Sequence, residues 1–284
     1  MKGNISTFDF GKPSEGALKL NIQPSDSFSV DDFDPHGMDF LENKADGTIQ
    51  LYVVNHAKGI ESVEVFQYDS KSPKNLVHLH TIHDQHFVCI NDLTLIDENK
   101  FYITNFLKYC YYPVIIPIAE FYFGRETGTV IYHDNGKSKM VATCDSCNGI
   151  TQSLDKRQVV VAAGSNTFLN VYEKVGEKGD LKLKERIDVA FYPDNLSTDH
   201  TTGDYYAGVQ KQVAKLIAAA KNQTRVVTSS GVHVSKLHNG RYRVEEVFHD
   251  NGRSFVQGVS SVVHYNGQYL FGTVFDKLAY CDSN

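Results

Sequence analysis

Short apolar runs that alternate with polar residues, each closed by a turn of Asp, Asn or Gly, set the rhythm of this chain. Val63-Glu64-Val65-Phe66 has the period of two that a half-buried strand requires. Around it the spacing predicts strands over Ser62 to Tyr68 and Leu76 to Ile82, with Lys71 to Lys74 turning between them. One layout recurs. The stretch Asp34 to His56, DPHGMDFLENKADGTIQLYVVNH, opens on a short polar head. It passes an apolar pair and the polar turn Lys44-Ala45-Asp46-Gly47, then runs Ile49 to Val54 as a strand ending in a second histidine. The same order returns at Asn91-Asp92 with the strand Phe101 to Thr104, and at Asn148-Gly149 with Val159 to Ala163. It returns again at Asp194-Asn195 with Asp204 to Gly208, and near Gln257-Gly258 with Tyr269 to Val274.

A period of roughly 40 to 50 residues holding several short strands predicts a β-propeller, whose modules form radial sheets around a central channel. If each head begins the innermost strand of its blade, His36, Asn91, Asn148 and Asn195 converge on one end of that channel. Converging amides and carboxylates form a cation site. One all-β domain over residues 1–284 is expected, since large β domains commonly reach this size. Residues 1–30 predict only the end of a blade, with a strand around Ile5 to Phe10, a turn at Gly11 to Gly16 and a strand at Ala17 to Ile22. Together with the strand near Leu270 to Tyr280 they predict a blade left incomplete at the N-terminus, an open ring whose closing strands would come from upstream.

Two segments depart from the rhythm, and a duplicated pair of turns supports it. In residues 109–123, YCYYPVIIPIAEFYF, two prolines are expected to interrupt any regular helix. The segment is too short to span a bilayer. It reads as packing between blades, as a lid over the channel mouth, or as a surface that docks on lipid. Val213, Leu216, Ile217 and Ala220 lie at helical spacing and predict a short amphipathic helix. Two near-identical segments, His133 to Ser138 and His249 to Ser254, carry Asn-Gly between apolar strands and predict two equivalent hairpin turns, structural despite the adjacent His and Asp.

Composition narrows the class. A hydrophobic content of 41%, with 16 Tyr and 17 Phe, describes a folded chain with a sizeable core. A net charge of −6 with no basic cluster argues against a nucleic-acid partner. Met1-Lys2-Gly3-Asn4 does not open a secretory leader. The 5 cysteines leave at least one without a partner in the chain. Cys144 and Cys147 have CxxC spacing, but no second pair completes a zinc site and no βαβ context suggests thioredoxin chemistry, so a structural role is expected.

Several motifs in order carry a resemblance: Asp-Pro-His-Gly at residues 34–37, Tyr-Val-Val-Asn-His at 52–56, Asn-Asp-Leu at 91–93, Cys-Asn-Gly-Ile at 147–150, Asp-Asn-Leu-Ser at 194–197, Thr-Gly-Asp at 202–204 and Gly-Thr-Val-Phe-x-Lys-x-x-Tyr-Cys at 272–281. In them the chain resembles the paraoxonase/arylesterase family. The resemblance implies a six-bladed propeller that holds two calcium ions and hydrolyses lactones and aryl esters, with organophosphate triesters as incidental substrates. It implies Asn91, Asn148, Asp194 and Asn195 as ligands of a catalytic calcium, and Asp92 with the Met38 carbonyl as ligands of a structural one. It also implies His36 as general base, His56 as the residue that orients it, and secretion or an endomembrane lumen.

Three departures accompany it. Asn105-Phe106-Leu107 stands where the family has Asn-Asp-His, and Val209-Gln210-Lys211-Gln212 stands where it has Cys-His-Pro-Asn. The family's N-terminal segment, which gives each calcium a carboxylate and the partner of Cys281, has no counterpart. A catalytically impaired propeller, membrane-associated and chaperone-like, is therefore the alternative reading. Sequons begin at Asn4, Asn195 and Asn222, and any glycan is expected on Asn4 or Asn222, because Asn195 is needed as a ligand.

Overall fold

The computed structural model describes residues 3–222, 225–252 and 254–282. From the N-terminus, β1 (Ser6–Phe8) and β2 (Ala17–Lys19) form a small hairpin, and β3 (Asn21–Gln23) joins the sheet that follows. That sheet contains β4 (Pro35–Asn43), β5 (Thr48–Asn55), β6 (Ser62–Asp69) and β7 (Asn75–Ile82), antiparallel in order, with β3 parallel on the outer edge of β7. The second sheet is β8 (Ile90–Asp97), β9 (Lys100–Asn105), β10 (Gly128–Asp134) and β11 (Lys137–Cys144). The third is β12 (Cys147–Gln152), β13 (Gln158–Ala163), β14 (Phe168–Val175) and β15 (Asp180–Asp188). The fourth is β16 (Tyr192–Thr198), β17 (Tyr205–Gln210), β18 (Ser229–Lys236) and β19 (Tyr242–Asp250), and the fifth is β20 (Val259–Tyr265), β21 (Gln268–Thr273) and β22 (Ala279–Asp282).

Consecutive first strands pack on one another in the order β4, β8, β12, β16, β20, which is how radial blades surround an axis. Apolar side chains fill the gaps between blades: Tyr52, Val63 and Val65 of the first meet Leu93, Phe101 and Ile103 of the second. Five blades are present among the described residues, against the six expected. The reason lies in how residues 3–33 satisfy their backbone. β1 and β2 pair with each other and β3 pairs with β7, so this stretch builds no blade of its own. It lies instead between the last blade and the first. Phe8 packs on Tyr280 and Phe10 on Tyr265, with ring centroids 5.6 and 5.5 Å apart, while Ile5, Leu20, Phe28 and Phe33 bury into a core with Val53, Phe66 and Leu76. Ser25 pins the same stretch to the first blade, its Oγ 2.7 Å from Nδ1 of His78, whose Nε2 lies 3.0 Å from Oε2 of the buried Glu64.

Two expectations about irregular segments are corrected. Residues Ile115–Phe123 form the helix α1 although Pro117 lies inside it. Pro117 is in the first turn, where a backbone N–H has no intrahelical partner to lose. Nor is the segment buried packing: Val114, Ile115 and Phe123 are 65%, 67% and 86% exposed. The two Asn-Gly segments are not equivalent either. Asn135-Gly136 joins β10 to β11 with φ of 50° and 79°, as a two-residue hairpin needs. Asn251-Gly252 instead follows the outermost strand β19 and leads to the next blade, and Arg253 lies outside the described residues. The amphipathic segment is α2 (Val213–Lys221).

Cys144 and Cys147 form a disulfide, as do Cys89 and Cys110, and Cys281 is free. No described helix is long and apolar enough to cross a membrane.

Candidate active site in the channel

Each blade begins with the same irregularity. The β4–β5 register jumps between Pro35 and Met38, β8–β9 between Ile90 and Leu93, β12–β13 between Cys147 and Ile150, β16–β17 between Pro193 and Leu196, and β20–β21 between Val259 and Ser261. In the first four, two residues oppose one on the neighbouring strand, a bulge that breaks the ladder and re-aims side chains. The bulged pairs are His36-Gly37, Asn91-Asp92, Asn148-Gly149 and Asp194-Asn195, the polar heads of the sequence repeat. Because β4, β8, β12 and β16 are packed side by side, the four bulges touch. A Cβ added to Gly37 would stand 2.3 Å from Asp92 Oδ1, and one added to Gly149 would stand 2.6 Å from the Cα of Asn195. Only glycine permits approaches that close.

The donors gathered here lack partners. The Oδ1 atoms of Asn91, Asn148 and Asn195 are buried and accept no hydrogen bond. Such orphans are costly, about 1–3 kcal/mol each, and mark places where an ion belongs. Two carboxylates stand among them. Burial, with Asp39 and Asp194 nearby, pushes the Asp92 carboxyl up to about 7, against two backbone N–H donors: Leu93 to Oδ1 at 2.9 Å and Ile150 to Oδ2 at 3.0 Å. Burial likewise pushes Asp194 up to about 6, against hydrogen bonds from Gln210 and Asn148. Uncompensated carboxylates beside orphaned amide oxygens form a hard-oxygen donor set, which suits calcium. Among the described residues no three His, Cys, Asp or Glu side chains cluster as metal ligands, because amides supply much of this set. Met38 lies where the β4–β5 register resumes, opposite Val53, with its side chain 46% exposed.

His36 and His56 meet. Nδ1 of His36 lies 3.0 Å from Nε2 of His56, whose Nδ1 lies 3.0 Å from Oε2 of Glu61. Burial, followed by the neighbouring His56, pushes the His36 pKa down to about 4. The residue itself is exposed, and the downward shift keeps the imidazole neutral at neutral pH.

An apolar cavity of about 270 Å³ opens beside the amide cluster. Asn148 and Asp194 form its polar floor, while Phe106 and Leu107, Phe121 of α1 and Leu216 of α2 wall it. Through Pro117, Ile118, Phe121 and Tyr122, segment 109–123 borders this cavity as a lid would. Glu120, the one charged residue of α1, is turned inward and receives the N–H groups of Lys108 and Tyr109 at 2.7 and 2.9 Å. Both sequence departures border the cavity: Phe106-Leu107 as wall, and Gln210, which donates to Asp194 Oδ2 at 3.2 Å and to the Val259 carbonyl at 2.7 Å. Neither histidine lines the cavity. Sequence reasoning missed Glu61 and the part of Gln210, since neither stands in a repeating position.

Asn4 and Asn222 are exposed, with the rest of the second sequon outside the described residues, whereas Asn195 is half-buried with its amide oxygen inside the bulge cluster.

The arylesterase family profile matches residues 1–283. Serum paraoxonase/lactonase 3 of Oryctolagus cuniculus is 31% identical over 280 residues, covering 98% of this chain and 76% of that protein. Serum paraoxonase/arylesterase 2 of Homo sapiens is 30% identical over 289 residues, covering 99% and 77%. Among solved structures, a luciferin-regenerating enzyme superposes with a TM-score of 0.55 at 11% identity, covering 96% of this chain and 77% of that one. A Lactobacillus plantarum protein does so with a TM-score of 0.53 at 7% identity, covering 98% and 87%. These two likenesses show a shared β-propeller fold and nothing of chemistry. The family match and the relatives together make this chain a member of the arylesterase family.

Proposed function

We propose that this chain is a calcium-dependent carboxylic-ester hydrolase acting on lactones and aryl esters, with phosphotriesters as incidental substrates. The observation that carries the reading is the convergence of three orphaned amide oxygens with the buried Asp92 and the half-buried Asp194 beside an apolar cavity. Asn91, Asn148, Asp194 and Asn195 would hold the catalytic ion, and Asp92 with the Met38 carbonyl a structural one. The chemistry that calcium held by these residues would supply is polarisation of the ester carbonyl and stabilisation of the charge developing on its oxygen. The chain supplies the rest. The cavity seats the apolar acyl or aryl group, His36 takes a proton from the attacking water, and His56 orients His36. Relatives named for lactonase and arylesterase activity support the reaction class. Two disulfides and a family of serum proteins support an extracellular or luminal location.

The test is hydrolysis of phenyl acetate and a δ-lactone by the purified chain, with calcium and after chelation. Turnover that chelation abolishes and calcium restores is expected; turnover indifferent to chelation, or none with either substrate, refutes the reading.

A second reading concerns the surface. Val114, which precedes α1, and Ile115 and Phe123 on it expose apolar area of the kind that enters a lipid interface. Co-sedimentation with zwitterionic vesicles, lost when Phe123 becomes Asp, is the result expected of a membrane-docked lid.

A further inference from the structure

The lid, the histidine pair and the strand that carries Asn91 meet at one carboxylate. Glu61 is 8% exposed and lies between His56 and the start of β6. Its Oε2 accepts from His56 Nδ1 at 3.0 Å and from the Ile90 backbone N–H at 3.2 Å. Its Oε1 accepts from the Tyr111 hydroxyl and lies 3.2 Å from the same His56 nitrogen. Tyr111 follows Cys110, which the disulfide ties to Cys89, one residue before Ile90, with Cα atoms 6.1 Å apart. Three donors from three separate segments therefore converge on the two oxygens of Glu61.

That convergence decides a tautomer. An ionised carboxylate only accepts, so His56 must present its Nδ1–H to Glu61. Nε2 of His56 is then an acceptor and takes the Nδ1–H of His36 across 3.0 Å. The lone pair of His36 ends on Nε2, the atom a general base needs free. Without the carboxylate either ring can reverse, and a reversed His36 offers a proton where it should take one.

We propose that Glu61 is a positioning residue that fixes the tautomers of His56 and His36, and that Tyr111 latches the lid to it. The base is then aligned when the lid is seated. The tautomer role rests on the hydrolase reading above; the latch is a property of the fold and can be tested without turnover.

The experiment compares Glu61→Gln, Tyr111→Phe and the double variant in the full chain, with phenyl acetate as substrate and calcium present. The Gln variant keeps the volume but sets an NH₂ against donors, so it replaces Glu61→Ala wherever Ala fails to fold. Glu61→Gln should lower kcat by about 10-fold or more, the direction seen when a carboxylate that holds a histidine tautomer becomes an amide, with KM nearly unchanged. Tyr111→Phe should lower kcat several-fold, and adding it to Glu61→Gln should change nothing further, because it acts through the same group. Hydrogen–deuterium exchange over residues 106–123, measured with and without calcium, should speed up in both single variants.

A raised KM at constant kcat, independent effects that multiply, or unchanged exchange overturns the proposal. A wild-type chain with no turnover sinks the hydrolase reading. Imidazole ¹⁵N shifts and the exchange data then decide the positioning role by themselves, and a His56 tautomer unaltered in Glu61→Gln refutes it.

Discussion

A Cβ added at Gly149 would stand 2.6 Å from the Cα of Asn195, a backbone atom that cannot swing aside. Gly149→Ala should therefore push β12 from β16 and cost about 1–3 kcal/mol, the scale of overpacking, read as a lower denaturant midpoint at constant slope. The residues beside it separate by role. Asn148→Ala and Asp194→Ala should each lower calcium affinity and melting temperature together, because an ion held between blades stabilises only the folded chain. His36→Gln should leave calcium binding nearly intact and reduce lactone turnover by about 10² or more, the scale of a positioned base. Loss of metal in the histidine variant equal to that in the ligand variants makes His36 structural. The meeting of these residues was legible in sequence because each stands at the head of a repeat, while the roles proposed for them come from the family resemblance. Glu61 was not, since Ile60-Glu61-Ser62 has no motif and its three donors arrive from residues 56, 90 and 111.

At the scale of elements, the bulges and the two helices divide the work. The bulges present donors to the channel, while α1 and α2 give the cavity its apolar walls. Phe121→Ala enlarges the wall facing the substrate without touching a donor. It should raise KM for phenyl acetate several-fold while leaving calcium affinity unchanged, as determined by calorimetric titration. A matching fall in kcat with KM constant shows instead that α1 acts on the chemistry. The α2 periodicity was readable because its apolar residues fall at helical spacing. α1 was misread because Pro117 ends helices in general and is harmless only in the first turn, and where that turn begins was not visible in the sequence.

For the whole molecule, the two carboxyl groups of the site couple stability to pH. Burial holds Asp92 and Asp194 at about 7 and about 6 in the metal-free chain, above the ordinary carboxylate range. Between about pH 4 and pH 7 the folded chain thus keeps protons that the unfolded chain has released, and stability falls as pH rises through that window. The proposed calcium would bind the deprotonated forms, so its benefit should grow in the same direction. Thermal melts should show the metal-free chain losing stability from about pH 4 to pH 7, with a calcium-induced rise in Tm that is larger at about pH 7 than at about pH 5. A metal-free chain that gains stability over that interval contradicts the assignment of these carboxylates to one buried cluster.

The order of strands and the repeated polar heads follow from the sequence alone, because alternation, turn residues and short motifs are local properties of the chain. The tertiary structure decided what depends on distant segments meeting. It set five blades rather than six, since β1 pairs with β2 and β3 with β7 instead of building another sheet. It closed the cavity with two helices contributed by different blades. It also placed Glu61 between the histidine pair, the lid and the strand to Asn91, a junction whose parts carry no mark in sequence because only folding brings them within hydrogen-bonding reach.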